Sequence, residues 1–459
     1  MPACDGCGRG PVHTGLRKGA ASSEAVPFLL EERPEAPAPV EQPFPVAGTK
    51  PRAREETMVT VFRYGLMRLV PAVLGGLLAG VPPAPAQPAR PAALDGFASV
   101  LDDPRVQALG EAGLDLLYNM KLDEARRTFD RIEALYPAHP IGPFLRGLIT
   151  WWQILPDLHD TSHDEAFIRQ MDEVVRRSDR LLKRNRDDFD AMFFKGAALG
   201  FRGRLLSNRG EWLRAARDGK EAMQYVFRIA EHDTANADFI FGKGVYDYFA
   251  DVVPEKYPVV KPLMLFFPDG DRTRGLRELR RVADEGRFIR TEAAYFLLQI
   301  YMIYEPDFAQ SLAYVQRLRA WHPDNPFFHT LEGRVHAQWG RWREARRIYA
   351  EVLERYRAGQ AGYTDALAVQ ALYYLGRAAL NDGDPARAAG YLEELERITA
   401  REKRDSYFKT LGTLRLGMAY DALGRRSEAL ERYRRVRKMK DYAGAHDRAR
   451  QYQKTPYGG

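Results

Sequence analysis

The stretch "LHDTSHDE" places His159 and His163 four residues apart, with Asp160, Asp164 and Glu165 beside them. Two imidazoles and a carboxylate are a donor set suited to zinc. The stretch lacks the H-E-x-x-H pattern that puts such groups on one helix face, and a loop entering a helix, with Ser162 or Asp164 as its N-cap, accounts for the same residues. A metal-dependent enzyme built on His159 and His163 therefore stands as the minor alternative. His329 and His336 lie two turns apart on one expected helix with no third ligand, which suits a polar face. Cys4 and Cys7 form a C-x-x-C without a second pair or a histidine at finger spacing. Trp151 and Trp152 have the shape to stack on a sugar or a peptide, but one in the core and one between repeats explains them better. Gly-rich phosphate loops, G-x-S-x-G elbows and paired acidic motifs are missing from the sequence. The expectation is a chain without catalytic residues, metal or cofactor.

Binding is the chemistry that remains, and it depends on a repeat. The segments 331–353, 374–395 and 415–436 align on Gly333, Gly376 and Gly417. A second glycine follows seven residues later (Gly340, Gly383, Gly424), an alanine five further on (Ala345, Ala388, Ala429), and a large residue four beyond that (Tyr349, Leu392, Tyr433). Such spacing makes two amphipathic helices meet at a tight turn, with small residues where their backbones cross and a large one filling the space beside them. One pair cannot bury its own face, so pairs must stack. Looser units precede these: Gly113, Ala125, Phe129 and Ile132 form a first, Gly147 and Gly196 mark the next two, and Ser311 stands in the alanine slot of a later one. The pattern resembles the tetratricopeptide repeat. The resemblance implies an all-α, right-handed superhelical solenoid of about eight helical hairpins over 94–459, whose first helices line a concave groove. The groove candidates are then Arg334 and Arg377, one residue after the repeat glycine, with Thr330, Tyr373, Gln370 and Asn381 around them. Two arginines from successive repeats suit a carboxylate, as in a peptide C-terminus or an acidic segment. Salt bridges to second-helix carboxylates are the structural alternative.

One segment breaks the pattern. Residues 254–270 are apolar and rich in proline, with Leu263, Met264, Leu265, Phe266 and Phe267 in succession. Pro254 is expected to end the helix before them, Asp271 to cap the helix after them, and Gly286 to stop it. The insert is too short and too broken to span a membrane. A plug folded onto the solenoid is preferred over a ligand lid or a shallow membrane contact at 259–267.

The chain has 459 residues, 45% of them hydrophobic and 29% charged, and a formal net charge of +7. The basic run 425–440 has Glu428 and Glu431 interleaved, as in a solvated helix face, and no nucleic acid partner is expected. Residues 1–57 are rich in Pro, Ala and Glu and read as a mis-assigned or disordered extension. Residues 58–86 carry Arg63 and Arg68, an apolar run from Leu69 to Val81 and an A-x-A site at Ala84–Ala86, the layout of a secretory signal peptide. A linker at 87–93 follows. The apolar run falls short of the roughly 20 residues of a membrane span. Export to the periplasm or cell envelope is the expectation.

The proline-rich connector, "PDGD" and Gly275, within 187–345, are similar to exported bacterial relatives of the tetratricopeptide-repeat-39 and inclusion-body-clearance family. That resemblance implies a non-enzymatic scaffold for a protein or peptide partner, with peripheral association with a membrane or lipid as an alternative. It brings no catalytic residues to this sequence.

Overall fold

The computed structural model describes residues 97, 99–158, 160–232, 236–256 and 267–458. The expected extension, signal segment and linker, Cys4 and Cys7, His159, and the insert residues Leu263, Met264, Leu265 and Phe266 lie outside them.

Seventeen α-helices follow one another in antiparallel pairs among the described residues. The first pair is α1 (Pro104–Tyr118) with α2 (Leu122–Leu135), the second α3 (Ile141–Ile154) with α4 (Asp164–Arg184), and the third α5 (Phe189–Asn208) with α6 (Trp212–His232). The fourth joins α7 (Phe241–Lys256) to α8 (Arg272–Glu285), and the fifth joins α9 (Arg290–Gln299), prolonged by a π-helical turn at Ile300–Tyr304, to α10 (Phe308–Trp321). The last three are α11 (Pro326–Gln338) with α12 (Trp342–Arg357), α13 (Asp365–Asn381) with α14 (Pro385–Thr399), and α15 (Tyr407–Ala422) with α16 (Arg426–Val436). A final helix, α17 (Ala445–Lys454), covers the end of the stack. The architecture is an all-α solenoid of stacked hairpins.

Side-chain size explains the pairing. The Tyr349 ring lies over Gly333 and the Tyr433 ring over Gly417, so close that a methyl group at Gly417 would sit 2.6 Å from the ring. The alanines Ala345, Ala388 and Ala429 are buried at the same crossings. Gly340, Gly383 and Gly424 have φ of +77°, +72° and +74°, the left-handed conformation a side chain resists. Met120 occupies the matching turn of the first pair at φ 60°.

First and second helices differ in burial. α11 is buried at every residue from Pro326 to Ala337, and α15 from Lys409 to Tyr420, whereas α12 and α16 bury one stripe each. The first helices therefore form the inner layer. Its N-terminal part closes on itself: Asn325 Nδ2 donates to the Tyr118 carbonyl (2.6 Å), the Asp324 amide donates to Asn119 Oδ1 (3.2 Å), and Lys121 pairs with Asp324 (3.2 Å). Trp152 meets Tyr118, Phe327 and Phe328 edge-on across this junction, so pairs one, two and six share one core. A second apolar cluster runs from Ala337 to Ala449.

Some local expectations change. α7 continues past Pro254 to Lys256, because a proline this close to the helix end forfeits only one backbone bond. Neither Ser162 nor Asp164 caps α4: His163 holds that position without a side-chain bond, Ser162 bonds to Asp160, and Asp164 pairs with Arg209. Asp271 does cap α8, accepting from the Arg274 amide at 2.8 Å, and Gly286 follows its last residue. Beyond the insert, Phe267 is half-buried, and Gly275 lies so tightly on α7 that a side chain there would meet the Tyr248 amide at 2.5 Å.

Candidate functional site

Two groups of polar side chains occupy the inner layer. The first follows from the helical repeat on α13. Gln370, Tyr373, Arg377 and Asn381 fall on one stripe by their spacing. Gln370 and Arg377 are half-buried and Asn381 is exposed. The Arg377 guanidinium lies over the Trp342 ring, 4.7 Å from its centroid, which holds the charge out on an aromatic platform. Tyr373 is buried, and its hydroxyl accepts a bond from Arg415 Nε at 3.2 Å.

Arg334 and Thr330 lie deeper. Thr330 is buried and its hydroxyl donates to the Pro326 carbonyl at 2.7 Å, a bond within its own helix. Arg334 is only 4% exposed, and its Nε has no hydrogen-bond partner. It neighbours Tyr295, where Arg204 also converges, while Arg377 is directed at Trp342. The structure thus gives the two expected groove arginines different surroundings.

The second group centres on Glu292 and Tyr295 of α9 and draws in Tyr118 of α1, Trp152 of α3 and Arg204 of α5. Glu292 is buried on α9; the Tyr118 hydroxyl donates to it at 3.5 Å, and Trp152 approaches it without a bond of ordinary geometry. Burial pushes its carboxyl up, and Arg204 works in the opposite direction. Arg204 itself lies between the Trp151 and Phe296 rings, 5.1 and 5.2 Å from their centroids. Burial likewise raises Tyr295, whose hydroxyl Arg204 approaches without a well-formed bond. Gln299, one turn beyond Tyr295, has its side-chain nitrogen buried and unpartnered. The repeat pattern did not reveal Arg204, Glu292, Tyr295 or Gln299, because pairs three and five depart from it. Polar residues on inner helices that are otherwise apolar were the available signal.

The histidines belong to the interior. His329 is fully buried with Nδ1 3.0 Å from the Tyr363 hydroxyl, and His336 is also buried, so the polar face expected for them is an inward one. Burial followed by Arg319, Arg355 and Arg347 pulls His329 down to about 3, outweighing Glu351 at 3.4 Å. Trp151 packs on Phe167 and Phe201 while Trp152 bridges distant pairs, so both indoles are core residues. Among the described residues no group of three or more His, Cys, Asp or Glu could hold a metal ion, and no helix is long and apolar enough to cross a membrane. His163 lies at the start of α4, and its partner in the expected metal pair, His159, is outside those residues.

Residues 330–402 and 413–439 match models of the tetratricopeptide repeat. The C-terminal third of the chain therefore carries tetratricopeptide repeats within the stacked helical fold. No curated protein matches the chain. Similar solved structures include yeast Tom70, at 9% identity and a TM-score of 0.31, covering 77% of this chain and 89% of that one. Naa15/Naa10 bound to HypK-THB is similar at 13% identity and a TM-score of 0.26, covering 78% and 75%.

Proposed function

We propose that this protein is a non-enzymatic scaffold that receives an extended, acidic peptide segment of a partner protein on the inner face of its C-terminal repeats. The observation that carries this reading is the α13 stripe: Arg377 stacked on Trp342, with half-buried Gln370 and exposed Asn381 in line with it. An arginine laid on an aromatic platform loses little further side-chain entropy when its guanidinium binds a carboxylate in two places. Tyr373, buried in the same stripe and bonded to Arg415, anchors that face. The N-terminal segment 58–86 supports export, which places the partner in the cell envelope. Crosslinking from cell envelopes with the native protein and an Arg377→Glu variant tests the reading. One dominant partner that the variant loses is expected; recovery of the same partner by both would overturn it.

A further inference from the structure

Folding redistributes the charges of the basic run 425–440. Glu428 pairs with Arg425 at 2.7 Å and Glu431 with Arg432 at 3.3 Å, so the interleaved carboxylates are taken up in the first two turns of α16. At its far end Arg434, Arg437 and Lys438 are exposed, and Arg437 bonds to the neutral side chain of Gln453. The loop after α14 lies against this end. The Lys440 amide donates to Asp405 Oδ2 at 2.9 Å, the Tyr442 hydroxyl donates to the Asp405 carbonyl at 3.2 Å, and Arg435 reaches Glu396 of α14 at 3.3 Å. That loop adds Arg401, Lys403 and Arg404, all exposed. The adjoining segments 401–405 and 434–441 hold eight arginines and lysines against Glu402, Asp405 and Asp441, an excess of five in a chain whose formal net charge is +7. Helix C-termini favour nearby cations, which accounts for a few of these side chains but not for three more on a loop.

We propose that this edge of the stack docks on a surface of anionic phospholipid, with Arg401, Lys403, Arg404, Arg434, Arg437 and Lys438 among the headgroups. A stable protein interface has an apolar or aromatic centre and is poor in lysine. This edge has no such centre: the large apolar side chains with the greatest exposure among the described residues, Leu135, Leu213 and Leu423, lie elsewhere. Long cationic side chains on two adjoining loops suit negative charge spread over a plane, whose phosphates can rearrange to meet them. The edge is separate from the α13 stripe, so a lipid surface here and a partner there are independent.

Co-sedimentation of the purified protein with vesicles tests the proposal, using phosphatidylcholine alone and phosphatidylcholine with about one-third phosphatidylglycerol. Binding is expected with the anionic vesicles alone, and should fade as salt rises from about 0.1 M to about 0.5 M. Each lysine or arginine near such a surface is worth about fivefold in affinity, so Lys403→Gln with Arg404→Gln, and Arg434→Gln with Lys438→Gln, should each weaken binding about 25-fold. Arg169→Gln with Arg176→Gln removes the same charge from the exposed face of α4 and should bind as the native protein does. The proposal is overturned by no binding to anionic vesicles, by equal binding to neutral ones, by unchanged binding in both edge variants, or by an equal loss in the α4 variant. Retention of polyglutamate or duplex DNA without vesicle binding would also overturn it, making the partner a soluble polyanion. Arg377→Glu should leave vesicle binding unchanged, which keeps this test distinct from the crosslink.

Discussion

The C-terminal repeats and the middle of the chain solve the same packing problem by different means. From α11 to α16, a large side chain lies on a glycine and a left-handed glycine makes the turn within each pair. From α5 to α9 helix lengths vary from 21 residues in α6 to 10 in α9, and buried aspartates tie segments together. Asp190 accepts from the Ser99 hydroxyl and, at 2.7 Å, from the Val100 amide; Asp238 accepts from the amides of Arg287, Phe288 and Ile289; and Asp247 holds Lys243 and Arg274. Size complementarity leaves a periodic trace in sequence, whereas an aspartate bonded to a backbone far along the chain leaves none.

The sharpest way to break the comparison is to remove an aspartate. Asp238→Ala strands three partly buried amide groups and is expected to cost about 2–4 kcal/mol, measured by urea unfolding followed by circular dichroism. A loss below about 1 kcal/mol would mean that the middle also relies on apolar packing. In the C-terminal repeats, Gly417→Ala pushes a methyl group into the Tyr433 ring, which can tilt away. A loss of about 2 kcal/mol is expected by the same measurement, and no change would show that the crossing tolerates more than its geometry suggests.

Acid distinguishes the regions by a third route. The buried His329, held at about 3, stays neutral in the folded protein while the unfolded side chain titrates near 6.5. Between those values the unfolded state binds the extra proton, so stability falls as pH drops, by up to about 1.4 kcal/mol per pH unit, and nothing is lost above 6.5. His322, brought to about 4 chiefly by burial, adds in the same direction at the junction with α1. Raised carboxyls such as Glu292 act oppositely, so the diagnostic is a difference: His329→Gln should flatten the acid limb of an unfolding series from pH 7 to 4. Identical limbs would mean that His329 is protonated in the fold. The smallest effect is expected at the first turn, where Met120→Gly relieves a left-handed side chain and stabilises by about 1 kcal/mol; a lower melting temperature would show that the Met120 side chain contributes more than its strain costs.

Much of the fold was legible in the sequence. The glycine, alanine and aromatic positions of the last three pairs, the Asp271 cap and the Gly286 stop are local rules, and they survive folding unchanged. The end of α7 was misjudged at Pro254, because a proline near a helix end costs only one bond. The α13 stripe could be anticipated, since helical spacing places Gln370, Arg377 and Asn381 together. The surroundings of Arg334 could not, because they depend on α5 and α9, more than thirty residues away in the chain.

Sequence alone determined that this chain would be paired helices in a stack, because a repeated pattern of small and large residues can be satisfied only by a neighbour carrying the same pattern. Tertiary structure alone decided that the N-terminal end of the stack would close on its sixth pair. The bonds from Asn325 to Tyr118 and from Asp324 to Asn119 join residues some two hundred positions apart, where no periodicity reaches.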